Sequence, residues 1–307
     1  MHRFRELING GSKNERVPVK HCQENMWIVK PAALNQGRGI EVFTKLRDIT
    51  EFIFQKNQQE SFWVVQKYIE KPFLYKTRKF DIRIWAAVTD DYKIYIHKEG
   101  YLRTTATEYD LKKKDTSIHL TNQCLQNKLE GFGQFEEGNT VMFNEFQQYL
   151  NETFPEYNLT LEEHFLPRMK DIIIDCFLSV RWKMNPNRRK GVFELFGFDF
   201  LLDEDFRVWL IEINTNPYLG TPNKAMEVLV PKMIDDLFKL TVDQVVKPKN
   251  ETRSSEPNGF ELIYREAQWQ DPSGPPAVNH RRPFNLDLCY PVPELKPFIG
   301  KMAKDLF

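Results

Sequence analysis

Two apolar, aromatic-rich runs, Phe193-Glu-Leu-Phe-Gly-Phe-Asp-Phe-Leu-Leu202 and Arg207-Val-Trp-Leu-Ile-Glu-Ile-Asn214, flank the polar stretch Asp203-Glu-Asp-Phe206. That pattern predicts a β-hairpin. Side chains alternate across a strand, so Glu212 and Asn214 share one face while Trp209, Ile211 and Ile213 take the other. Asp199 points away from the side on which Phe198 and Phe200 lie. A turn of two or four residues pairs Asp199 with Leu210 or Glu212, and paired residues of an antiparallel ladder point the same way. Asp199, Glu212 and Asn214 then converge on one patch. Two carboxylates and an amide oxygen are hard ligands suited to Mg²⁺, with water and phosphate completing the shell. Without a cation, burying both carboxylates in an apolar hairpin is costly. The alternative is a solvated polar face with no metal.

The chain has 307 residues, enough for one large or two ordinary domains. It is 41% hydrophobic and 28% charged, which is a globular balance. Basic and acidic residues number 43 each, so no global field draws in nucleic acid or a membrane. Any charged partner must be held by local patches. Lys71, Lys76, Arg78 and Lys79 crowd one edge, and Lys112–Lys114 and Arg188–Lys190 add to the basic surface. Cys22, Cys124, Cys176 and Cys289 are scattered, with no Cys-x-x-Cys, and read as reduced thiols rather than a disulfide framework or zinc site. With no apolar run of transmembrane length and no signal-peptide core, a cytosolic setting is expected.

In chain order, residues 1–24 are polar and read as a leader or the remnant of a preceding element. Asn25–Pro31 reads as a strand that carries Lys30, a point charge suited to a phosphate. Gly37-Arg38-Gly39 joins it to a strand over Ile40–Phe43. It lacks the Gly-Lys-Ser/Thr of a P-loop and opens no helix, so neither Walker nor Rossmann logic applies. It is either a plain hairpin turn or a loop laying N–H groups over phosphates. A helix is expected over Leu46–Gln59 and a strand over Phe62–Ile69. The latter is an ordinary core strand, or an edge that meets an adenine ring with Tyr68 and Ile69 over its face. Asp81 and Arg83 share a face of the strand Phe80–Val88, and strands follow at Lys93–His97 and Tyr101–Thr104. His119-Leu-Thr-Asn122 reads as a turn cap. The capping box Thr160-Leu-Glu-Glu163 opens an amphipathic helix through Met184, with Pro167 either kinking it or marking its true first turn. A second helix is expected over Asn223–Val246. Residues 247–307 are expected to be a largely irregular tail with short anchoring contacts.

Eight segments, in order, resemble the tubulin–tyrosine ligase and ligase-like enzymes. They are Trp27-Ile-Val-Lys-Pro, Gln36-Gly-Arg-Gly-Ile, Val65-Gln-Lys-Tyr-Ile-Glu, Lys79-Phe-Asp-Ile-Arg, Leu102-Arg-Thr, His119-Leu-Thr-Asn, Glu194-Leu-Phe-Gly-Phe-Asp and Leu210-Ile-Glu-Ile-Asn. The resemblance covers roughly residues 25–245. It implies an α+β ATP-grasp fold in which two lobes clamp ATP. Residues 25–70 would belong to the central lobe and 71–246 to the C-terminal lobe. Only 24 residues precede Asn25, so the family's N-terminal lobe is expected to be largely missing.

The resemblance also implies roles. Lys30 and Lys67 would touch ATP phosphates, with Gln36, Gly37, Arg38 and Gly39 over them. Gln66, Lys67, Tyr68 and Ile69 would form the adenine hinge. Asp199, Glu212 and Asn214 would hold two Mg²⁺ ions, and Glu212 would also count as catalytic. Lys79, Asp81, Arg83, Arg103, Thr121 and Asn122 would line the γ-phosphate and amino-acid region, the two arginines as catalytic groups. The implied reaction joins a free amino acid to tubulin or microtubules, through their acidic tails, by way of an acyl-phosphate. The implied setting is the cytoplasm and cytoskeleton, including ciliary axonemes or basal bodies, with no nucleic-acid or membrane partner. Thr215-Asn-Pro-Tyr-Leu219 resembles the branch that adds glutamate or glycine, and ranks glutamate first, glycine second and tyrosine third. A catalytically impaired tubulin-binding module and a ligase with a non-tubulin acceptor remain as alternatives.

Overall fold

The computed structural model describes residues 24–32, 34, 37–56, 62–113, 115–246 and 257–265. They form two compact units. The first takes the described residues up to Phe80 and returns for Arg103–Asn139; the second takes Asp81–Leu102 and the described residues from Thr140 onward. The expected central portion, 25–70, thus falls in the first unit, which also holds 71–80 and the excursion 103–139.

In the first unit, β1 (Trp27–Pro31) lies between β2 (Glu41–Phe43) and β3 (Trp63–Lys67), antiparallel to both. Alternation splits β1 into two apolar stripes. Trp27 and Val29 pack with Ile49 of α1 (Leu46–Lys56), joined by Phe43, Phe52 and Trp63. Ile28, on the other face, packs with Met26, Tyr68 and Leu120. A tight turn then joins β4 (Leu74–Tyr75) to the start of β5 (Arg78–Thr89). Arg78 is buried there, donating to both oxygens of Glu136 and to Thr104 Oγ1. The excursion carries the short helices α2 (Thr116–His119) and α3 (Gln123–Gln126). Buried Gln126 ties it together, donating to the Ser117 and Leu120 carbonyls and accepting from the Ala106 N–H.

The second unit is built on an antiparallel path in the order β10–β9–β5–β6–β11. Its elements after β5 include β6 (Lys93–His97), β7 (Tyr101–Thr104, which begins here), β8 (Thr140–Met142), α4 (Phe143–Thr153), α5 (Leu166–Val180), β9 (Phe193–Leu202), β10 (Val208–Asn214), α6 (Lys224–Leu240), the short α7 (Val242–Val245) and β11 (Phe260–Arg265). Helices cover both faces. Phe177 of α5 meets Phe196 and Phe198 at ring distances of 5.0 and 5.6 Å. Met226, Leu229 and Met233 of α6 pack with Trp85 and Ala87 on the opposite face of β5. Thr160 caps the entry to α5 by accepting from the Glu163 N–H, but its own N–H donates to His164 Nδ1 at 3.1 Å, so only half of the predicted capping box forms. Pro167 falls in the first turn, where its missing N–H costs no helix bond. Gly100 has no room for a side chain: an added Cβ would lie 2.6 Å from the Arg83 carbonyl oxygen and 2.5 Å from Phe143.

In the stretch expected to be largely irregular, the described residues include a strand. Phe260–Arg265 forms β11 and pairs with β6. It alternates weakly in hydropathy; Phe260 packs in the core with α6, and Ile263 is buried as well. Cys124 and Cys176 are free thiols, while Cys22 and Cys289 lie outside the described residues. Among the described residues no helix is long and apolar enough to cross a membrane.

Candidate functional site

The candidate residues fall into two sets, one in each unit. In the second unit the sheet register aligns them. Arg83 on β5 is opposite Asp199 on β9, and Asp199 is opposite Glu212 on β10. One step along, Gly197 is opposite Asn214. The expected convergence is present, but a different turn produces it. Leu202 pairs with Val208, leaving five residues between the strands. That odd number would bring Ile211 opposite Asp199. A bulge between Leu210 and Glu212 skips Ile211 and restores the parity that faces Glu212 and Asn214 toward Asp199. Asp203, fully buried, fixes the turn: it accepts from the Asp205 and Arg207 N–H groups and from Trp209 Nε1 at 2.8–3.0 Å.

Asp199 is buried, and Arg83 donates to it through Nε to Oδ1 and Nη2 to Oδ2 at 3.1 Å. Asn214 Nδ2 donates to Asp199 Oδ2 at 3.3 Å and to Glu212 Oε1 at 3.2 Å. Gly197 makes this possible, because an added Cβ would lie 3.3 Å from the Arg83 side chain and 2.9 Å from Pro217. The two carboxylates already converge on one electropositive amide group. The donor set fits a hard divalent cation, provided the Asn214 amide turns its oxygen inward. Glu212 is exposed and Asn214 half-buried, so the patch is open to a ligand. Asp81 is buried earlier on β5.

In the first unit, Lys30 donates to Gln66 Oε1 at 3.0 Å across the even-numbered face of β1 and β3. Gly37 and Gly39 take positive φ values of 74° and 70°, which favour glycine. A Cβ on Gly37 would lie 3.2 Å from Asn122 Oδ1, so the loop backs onto the His119–Asn122 segment. Arg38 is exposed at its tip, and Gln36 lies outside the described residues. Thr121 and Arg103 are buried.

Lys67 is not brought to Lys30. It sits on the opposite face of β3, one residue out of phase with Gln66. Its ammonium donates to the Met26 carbonyl at 2.8 Å and to Glu70 Oε1, with a longer contact to the Tyr68 carbonyl. Those bonds engage all three ammonium donors and tie the end of β3 to Met26 and Glu70. Lys79 is likewise engaged, donating to the Tyr68 hydroxyl at 3.0 Å and the His119 carbonyl at 2.7 Å. Arg78 and Lys79 are therefore withdrawn from the basic edge expected around Lys71 and Lys76.

A model of the tubulin–tyrosine ligase family matches residues 4–254. The chain belongs to that family. It is 37% identical over 248 residues to tubulin glycylase 3A of Drosophila melanogaster, covering 79% of this chain and 24% of that protein. It is 34% identical over 258 residues to tubulin glycylase 3B of Tetrahymena thermophila, covering 82% of this chain and 21% of that protein. It is 33% identical over 276 residues to protein monoglycylase TTLL8 of Homo sapiens, covering 86% and 30% respectively. The chain thus spans roughly a fifth to a third of the length of these relatives. As a family member it has the α+β, ATP-grasp fold class that its motifs imply.

The family's His-Leu-Thr-Asn segment is more than a turn cap in this member. His119 is buried, with Nε2 facing the Lys113 carbonyl at 2.6 Å and Nδ1 facing the Tyr68 hydroxyl at 2.9 Å. A carbonyl only accepts, so the proton is on Nε2 and Nδ1 accepts from Tyr68, whose oxygen accepts from Lys79. Glu70 was equally hidden: it closes the Gln66–Ile69 run and is fully buried beneath it. The signal was a carboxylate ending an apolar strand, where burial demands donors.

Burial lowers the pKa of both His119 and His97 below the usual 6.5. As pH falls, the unfolded chain therefore takes up protons first. Stability from these two groups is present above about pH 6.5 and declines below it, by up to about 1.4 kcal/mol per pH unit for each histidine. The thermal midpoint should hold steady on the alkaline side of that value and drop on the acid side. A midpoint that rises on mild acidification contradicts the neutral assignment.

Proposed function

We propose that this chain is an ATP- and Mg²⁺-dependent ligase that couples glycine to a carboxylate of the tubulin polypeptide. The observation that carries the reading is the aligned row of Arg83, Asp199 and Glu212, with Asn214 bridging the two carboxylates. A substrate carboxylate attacks the γ-phosphorus of ATP and ADP leaves, giving an acyl-phosphate. The glycine amine then attacks the acyl carbon, phosphate departs, and the amine loses a proton. Two anions must meet in the first step. Bound at Asp199, Glu212 and Asn214, Mg²⁺ would neutralise phosphate charge. Arg83 orients Asp199 through paired donors and puts a fixed positive charge beside the reacting groups. Lys30 and the glycine loop are suited to phosphate oxygens, and Gln66–Ile69 to the adenine edge.

The amino acid is re-ranked. Sequence features placed glutamate first, but the relatives are named as glycylases, which supports glycine ahead of it. A physical observation points the same way. A glutamate donor needs a fixed counter-charge for its side chain, whereas glycine needs none. Arg83, one of the two arginines expected to read a planar carboxylate, is already paired with Asp199. The proposed setting is the microtubule cytoskeleton. Radiolabelled glycine supplied with purified tubulin should be incorporated only when ATP and Mg²⁺ are present. Incorporation that ignores ATP, or its complete absence in a chain shown to bind ATP, contradicts the proposal.

A further inference from the structure

In the second unit the ends of β5 and α5 and the start of β9 surround a cleft of about 1140 Å³. It plays no part in the carboxylate patch. Glu194, on its lining, is five residues before Asp199 on β9, which is about 17 Å along an extended strand. Four cations line the cleft: Arg181, Arg188, Arg189 and Lys190. Three carboxylates do too, and two are engaged. Asp91 pairs with Lys93 at 2.6 Å, and Asp90 accepts from the Gly191 N–H at 3.1 Å with Lys190 at 3.9 Å. Glu194 is the third, and it is exposed. Arg188 and Arg189 are exposed and have no ion-pair partner among the described residues. Beside them Arg181 lies 4.7 Å from the ring centre of Trp182, an indole that is 78% exposed.

We propose that this cleft docks an acidic, extended peptide segment of the acceptor polypeptide. The inference rests on the ligase reading for its partner, and on the cleft for its place. Arg78 and Lys79 are engaged in buried bonds, whereas Arg188 and Arg189 are exposed and without an ion-pair partner among the described residues. Guanidinium groups meet carboxylates in a planar fork. The Arg181–Trp182 stack offers an apolar surface whose cation also attracts anions. About five extended residues bridge the cleft and the Asp199 patch.

The test is fluorescence anisotropy of a labelled oligoglutamate peptide against the chain and its Arg188→Glu/Arg189→Glu variant. Arg188 has a positive φ of 48°, and glutamate there is no more strained than arginine. The double reversal should weaken peptide binding about tenfold, and binding to the parent chain should weaken as salt rises. Arg188→Ala/Arg189→Ala should give a smaller loss in the same direction. ATP–Mg²⁺ binding, measured in parallel, should be unchanged in both variants. Peptide affinity indifferent to both variants overturns the cleft assignment while leaving the ligase reading standing. A single-stranded oligonucleotide that competes better than the peptide also overturns it. Peptide binding that depends on Arg188 and Arg189 in a chain without ATP affinity keeps the cleft and removes the ligase reading.

Discussion

Replacing Glu212 by glutamine should abolish ligation, with a fall of at least about two orders of magnitude, while leaving the fold intact. Glu212 is exposed near the end of β10 and is not one of the buried residues of the core. Its side chain accepts from Asn214 Nδ2, a bond that a glutamine oxygen reproduces. What glutamine removes is the negative charge. The patch then has one carboxylate, Asp199, and much of that charge is already balanced by Arg83. A divalent cation has little left to hold it there, and the approach of carboxylate to phosphate loses its neutralising partner. Far-UV circular dichroism and the unfolding midpoint should match the parent chain. Normal turnover by Glu212→Gln would remove the metal assignment altogether.

The largest stability effect is expected at Glu70. Its carboxylate accepts from the Glu24 N–H at 2.7 Å, the Met26 N–H at 2.8 Å and the Lys67 ammonium. Three donors from either side of β1 and β3 thus meet one buried group. Glu70→Ala strands the buried Met26 N–H and leaves the Lys67 charge without its partner. Lys67 is 20% exposed, so water relieves part of that cost. The expected destabilisation is about 3 kcal/mol, read as a shift in the urea midpoint. Glu70→Gln, which keeps an oxygen acceptor but not the charge, should lose less. A loss under about 1 kcal/mol for the alanine variant would show that the clamp adds little.

The elements were legible where apolar periodicity was long. The Phe193–Asn214 hairpin, the strand through Arg83 and the helices opened by Thr160 and Asn223 follow from spacing and caps that the folded chain uses. The convergence of Asp199, Glu212 and Asn214 was legible too, yet its cause was not. Turn length sets hairpin parity, and the sequence does not announce that Asp203 pulls five residues into the turn or that Ile211 bulges. Lys67 illustrates a second limit. A lysine beside a strand carries no mark of whether it faces a ligand or a buried carboxylate such as Glu70, three residues on. β11 was invisible because its partner strand, β6, is far away in the sequence and its own alternation is weak.

The account stands on one reaction, and intact-mass spectrometry of tubulin tails reads it directly. Tubulin would be incubated with this chain, ATP, Mg²⁺ and equimolar glycine and glutamate, and the tail masses compared with those from the Glu212→Gln variant. The account predicts ATP-dependent additions of glycine mass with the parent chain and none with the variant. Additions of glutamate mass instead, or unchanged additions by the variant, would contradict it.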